Sequence, residues 1–176
     1  MLLDGRRRLW TERERTVALW LHRGADSPAV LATLLLVSRL GDGVLWYVMV
    51  ATLPFWGGPE GWKCALYMVA LGVVNFVFYS ALKQRVARPR PSVSCPGIRA
   101  CCRALDEFSF PSGHTTHAVA FALLLGHYYP ALAWPLWGFA VLIALSRVVL
   151  GLHFPSDVAV GATIGAVTAG FMLVVV

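Results

Sequence analysis

The chain has 176 residues, of which 58% are hydrophobic and 14% charged, with a formal net charge of +6. A soluble domain carries about 25% charged residues, so much of this surface faces something other than water, and a soluble two-domain protein is excluded. The Lys and Arg residues cluster beside apolar segments and form no nucleic-acid motif, which favours positive-inside topology and contact with anionic headgroups over a nucleic-acid partner.

In chain order, residues 1–11 read as a basic, unordered tail. They carry Arg6, Arg7 and Arg8 but lead into no apolar run with a small-residue cleavage site, so no signal peptide is expected. Residues 12–23 place Val17, Leu19, Trp20 and Leu21 among charges, as in a short helix at the membrane interface. Ser27 is placed to cap a helix over 28–39, which is either interfacial or part of a tilted span. Gly41-Asp42-Gly43 breaks the pattern. Residues 1–40 are thus a basic tail with interfacial or first membrane helices, and 41–176 form the membrane domain. Apolar stretches follow at 44–56 and 62–82, then a polar loop over 83–111 that cannot lie in lipid. Three more helices are predicted over 113–129, 131–150 and 156–176. Gly161, Gly165 and Ala169 give the last one a face for close helix contact. Trp and Tyr near the span ends, among them Trp56, Trp62 and Trp134, form an aromatic belt. The fold class is all-α, an integral-membrane bundle of five or six spans.

Ionisable residues beside membrane spans are functional candidates. Three groups stand out: Lys83 with Arg90-Pro91; Pro111-Ser112-Gly113-His114; and Arg147, His153 and Asp157. Span counting brings them together. Residues 83–111 do not cross the bilayer, so Lys83 and Ser112 share a face. Two helices later Arg147 returns to that face, where His153 and Asp157 open the last helix. Lys83, Arg90 and Arg147 are three cations around one anion, with Arg offering bidentate donors suited to phosphate oxygens. Ser112 is placed as an N-cap, with the amides of Gly113 and His114 pointing out of a helix start. One histidine can attack phosphorus while the other protonates the leaving oxygen. Asp157, four residues after His153, can hold the imidazole tautomer.

These groups resemble the signature of the type 2 phosphatidic acid phosphatase family, which is related to vanadium haloperoxidases. Its pattern of Lys, six residues, Arg-Pro is matched from Lys83 to Pro91. Pro-Ser-Gly-His is matched by residues 111–114. Ser-Arg, five residues, His, three residues, Asp is matched from Ser146 to Asp157. No signature residue is missing. The resemblance implies that His153 is the nucleophile, Asp157 orients it and His114 protonates the leaving group. Lys83, Arg90, Arg147, Ser112 and Gly113 would bind the phosphoryl oxygens, with no metal and no cofactor. The implied activity is hydrolysis of a membrane lipid phosphate or diphosphate through a phosphohistidine. Candidate substrates are undecaprenyl diphosphate, phosphatidic acid, phosphatidylglycerol phosphate and a lipid A phosphate, a polyprenyl diphosphate being preferred. A lipid phosphotransferase and a non-catalytic lipid-binding or transport protein are the alternatives; the latter should have lost a catalytic residue.

Arg85, Arg88, Arg99 and Arg103 occupy no motif position and read as solvated loop charge, or as contacts to a second phosphate or acidic headgroup. Asp106 and Glu107 read as loop structure or salt bridges, and His117 as lining the pocket or packing. Cys95, Cys101 and Cys102 share one loop, where a disulfide requires an oxidising compartment. The expected location is a bacterial inner membrane. If residues 16–40 supply a separate span, the site faces outward, the arrangement preferred here. If not, both basic clusters share the site's face, which positive-inside topology then places in the cytoplasm. The oligomeric state is open.

Overall fold

The computed structural model describes residues 2–175, with side chains from residue 12 onward. The described residues form helices and connecting loops, without strands. Helix α1, Leu2–His22, extends the expected interfacial helix back through the stretch read as an unordered tail. The His22 ring pins its end: Nε2 accepts from the Arg99 amide (3.2 Å), and Nδ1 therefore donates to the Val149 carbonyl (2.8 Å).

Helices α2, Pro28–Arg39, and α3, Leu45–Trp56, are joined by a π-turn, Leu40–Val44. Gly43, at φ 129°, absorbs the additional residue there. Gly41-Asp42-Gly43 therefore bends a helix where a break was expected. The joined segment, Pro28–Trp56, has 29 residues and is apolar and long enough to cross a bilayer. The helix over 28–39 is therefore part of a longer span, one of the two alternatives the sequence left open.

Helix α4, Gly61–Val86, carries Lys83 to its end, where Ala87 caps it in the left-handed region. A short helix α5, Pro91–Ser94, opens the polar connection. Helix α6, Gly113–Tyr128, starts at the site and ends on the opposite face, where the Tyr129 hydroxyl donates to the Gly57 carbonyl (3.0 Å). Helix α7, Ala133–Val149, returns, and α8, Pro155–Val175, leads away again. Because α2–α3 also ends near Gly57, its start and α1 lie on the site's face.

Helix α6 is the centre of the bundle, buried along most of its length and packed chiefly against α8 and α7. The close approach of α8 depends on Gly161 and Gly165. A Cβ at either would run into a carbonyl oxygen of α6, that of Ser112 or Thr116. The small-residue spacing is thus the α6–α8 seam. Large apolar side chains such as Leu66, Val77, Val141 and Phe171 point outward, the reverse of a soluble protein and suited to lipid. The segments 58–94, 130–149 and 155–175 are also long and apolar enough to span. The protein is an all-helical integral-membrane bundle.

Candidate active site

The motif residues meet at the face where α4 ends and α6 and α8 begin. Lys83, Arg90, Gly113, His114, Arg147 and His153 line one cavity of about 700 Å³. Its other wall is apolar, built by Trp46 and Val50 of α3, Val69, Val73 and Phe76 of α4, and Phe121 of α6.

His153 stands in the turn between α7 and α8, where its amide donates to the Arg147 carbonyl (3.0 Å). This ties nucleophile candidate and cation together through the main chain. The side chain is 2% exposed, and Nδ1 lies 3.7 Å from Asp157 Oδ2. That arrangement leaves Nε2 as the nitrogen free for the cavity. Burial, then the charges of Arg147, Arg90, Lys83 and His114, hold the ring well below the ordinary histidine range. His153 is accordingly neutral at pH 7, with a lone pair available for attack. Asp157 is fully buried: Oδ2 accepts from the Phe154 amide (2.8 Å), and Oδ1 is taken by Arg88 (2.7 Å).

Arg88 corrects the reading of the non-motif arginines. Its guanidinium lies over the Phe154 ring at 4.0 Å and donates to Asp157, to Ser156 Oγ (2.7 Å) and to Glu14 Oε2 (2.7 Å). Glu14 Oε1 also accepts from the Ser156 amide (2.9 Å) at the start of α8. Helix α1 is therefore part of the site, and Arg88 is a buttress of the His153–Asp157 pair.

The cations have partners in the ligand-free state. Asp106 Oδ1 accepts from Lys83 Nζ (2.8 Å) and Arg90 Nη2 (2.6 Å). Burial alone would raise the Asp106 carboxyl, but Lys83 and Arg90 outweigh it and hold it below the usual carboxylate range. Arg90 also donates to the Leu152 carbonyl (2.7 Å), and Arg147 to Ser38 Oγ. Arg147 Nε is buried without a partner, a donor left for an incoming anion.

Ser112 occupies the N-cap position of α6, but its hydroxyl faces the Thr115 hydroxyl (3.0 Å) instead of a helix amide. It is fully buried and stands behind the cavity wall, unlike Gly113 and His114. A Cβ on Gly113 would also strike the Tyr79 ring at 2.9 Å, so glycine is needed there for packing. His114 donates from Nε2 to Asp42 Oδ1. His117 lines the cavity and bonds the Gly72 carbonyl (3.2 Å), joining α6 to α4. Cys95 is buried, Cys101 and Cys102 are partly exposed, and all are free thiols.

The PAP2 superfamily model matches residues 61–176. The chain is 36% identical over 144 residues to the decaprenylphosphoryl-5-phosphoribose phosphatase of Mycobacterium tuberculosis, covering 80% of this chain and 77% of that protein. It is 30% identical to the undecaprenyl-diphosphatase BcrC of Bacillus subtilis, over 73% of this chain and 66% of that one. Among solved structures, Aquifex aeolicus LpxE superposes with a TM-score of 0.75 at 26% identity, covering 88% of this chain and 92% of that chain.

Proposed function

The chain belongs to the PAP2 superfamily, and on that premise we propose that this membrane phosphatase hydrolyses a phosphate ester or diphosphate of a polyprenyl lipid through a phosphohistidine on His153. One observation carries the reading. Three cations and the motif histidines His114 and His153 line one part of a cavity whose wall of Trp46, Val50, Val69, Val73, Phe76 and Phe121 is apolar. A phosphorylated headgroup with a hydrocarbon chain fits both parts. Two relatives named for polyprenyl substrates support the chain class.

In this reading Lys83, Arg90 and Arg147 hold the phosphoryl oxygens, supplemented by amides at the start of α6. Phosphoryl transfer depends on such positioning and charge compensation more than on covalent work by the protein. His153 attacks from Nε2 while Asp157, held by Arg88, stabilises the charge that appears on the ring. His114 protonates the leaving oxygen and then takes a proton from the water that releases phosphate.

We also infer that the site faces the cytoplasm, from the cytoplasmic membrane of a bacterium. Apart from Arg39 and Lys63, every Lys and Arg from residue 12 onward lies on a segment at the site's face, and positive-inside topology puts that face in the cytoplasm. An impermeant thiol reagent should reach Cys101 and Cys102 only after cells are permeabilised.

The test of function is phosphate release by the purified protein, in detergent with EDTA, from a panel of polyprenyl phosphates, polyprenyl diphosphates and glycerophospholipid phosphates. Release that persists in EDTA, is greatest with a polyprenyl compound and vanishes in His153→Ala supports the proposal. No release from the panel, or equal release by the variant, overturns it.

A further inference from the structure

Resting on the reading above, we propose that Asp42 is a positioning residue for the reaction, acting through its hydrogen bond to His114 to orient that ring and to favour its proton-carrying form when substrate is bound. Asp42 sits in the π-turn between α2 and α3, and no family motif includes it. The turn brings its side chain into the cavity beside His114, Arg147 and His153. π-turns inside helices occur often at functional sites. The same stretch of chain also supplies Ser38, which accepts from Arg147. Two motif residues on α6 and α7 are therefore oriented by one bent span.

The chemistry requires such a partner. His114 has a side chain only 10% exposed and shares its cavity with Lys83, Arg90 and Arg147. Burial and neighbouring cations both disfavour an imidazolium, whereas a carboxylate in contact favours it. A general acid must carry its proton when the substrate arrives, and Asp42 is the carboxylate that touches this ring.

The lone pair of His153 Nε2 forms a bond to phosphorus as the bond from phosphorus to the leaving oxygen breaks. The proton on the His114 ring nitrogen that is not bonded to Asp42 passes to that oxygen, giving an alcohol, or a lipid monophosphate from a diphosphate, and a neutral His114 whose Nε2–H still donates to Asp42. Water then attacks phosphorus, its proton passes to His114, and the N–P electron pair returns to His153. Asp42 remains a carboxylate throughout.

The test uses the purified full chain in detergent and two probes. Dodecyl phosphate has an alkoxide leaving group that needs a proton; para-nitrophenyl phosphate has a stable phenolate that does not. Asp42→Asn should lower kcat/KM, which reports phosphoryl transfer to His153, on the order of 100-fold with dodecyl phosphate, the usual worth of general acid catalysis. The loss in kcat/KM on the aryl substrate should be under about fivefold, by the same logic. His114→Asn should show the same selectivity, and the double variant should be no worse than either single one. Equal losses on both probes, or none on either, overturn the proposal. If Asp42→Asn does not fold, Asp42→Glu serves, with a smaller loss confined to dodecyl phosphate as the expected result and equal losses the contrary one. His153→Gln distinguishes two kinds of failure. If it abolishes turnover of both probes while Asp42→Asn is unselective, only the role of Asp42 falls. If turnover survives in His153→Gln, the phosphohistidine reading falls as well.

Discussion

Arg88 Nη1 lies 2.7 Å from Asp157 Oδ1, and Arg88 Nη2 lies 2.7 Å from Glu14 Oε2. The carboxylate behind His153 is therefore held by a loop residue that is itself held by the interfacial helix. A chain of charges runs from the membrane surface to Asp157 beside His153. Arg88→Gln should lower kcat by about 100-fold, the order of loss expected when a reacting group is misplaced by about 1 Å, with little change in KM. Glu14→Gln should follow the same pattern with a smaller loss, and Arg88→Lys should recover part of the activity. Steady-state kinetics on a single lipid phosphate check this. A rise in KM with kcat unchanged would mean that Arg88 binds substrate instead.

Asp106 bridges Lys83 and Arg90 where phosphoryl oxygens are expected to bind. A carboxylate there competes with an anionic substrate, because both need the same donors. Asp106→Asn should therefore tighten inhibition by orthovanadate and inorganic phosphate, by roughly tenfold if the competing charge is worth about 1.4 kcal/mol. Inhibition constants measured at fixed ionic strength report it directly. Weaker inhibition would show that Asp106 holds the cations in place and does not oppose the ligand.

The pH dependence of stability follows from His153, whose ring stays neutral in the folded protein well below the ordinary histidine range. In the unfolded chain the ring takes up a proton below about pH 6.5. The unfolded state then binds more protons than the folded one, so stability falls as pH drops below that value. His153→Gln removes this contribution. Thermal unfolding in detergent should show a flatter decline between pH 6.5 and 5 for the variant than for the parent protein. Identical slopes would contradict the neutral, buried assignment.

Lys83, Arg90, His114, Arg147 and His153 could be brought to one cavity by counting spans, since each sits at a helix boundary and the loop over 83–111 cannot cross lipid. Arg88, Glu14 and Asp42 could not. Their partners lie 69, 74 and 72 residues away along the chain, and pairing at such separations depends on tertiary packing that periodicity does not encode. Asp42 did leave a signal, as an acid between two glycines within an apolar stretch, where ionisable residues are seldom without function. The π-turn that carries it was masked because Gly41 and Gly43 read as helix breakers, although the glycine conformation at Gly43 is what lets the helix continue. The placement of α1 on the site's face followed from that same continuity.

The most direct measurement is to quench turnover of a ³²P-labelled polyprenyl phosphate in alkali and look for label on the protein. Nε2-linked phosphohistidine survives base and is lost in acid. Catalysis through His153 predicts a base-stable, acid-labile adduct that maps to the peptide containing His153 and is absent from His153→Gln. Label on another residue, or rapid turnover with no adduct on His153 under conditions that preserve phosphohistidine, would contradict it.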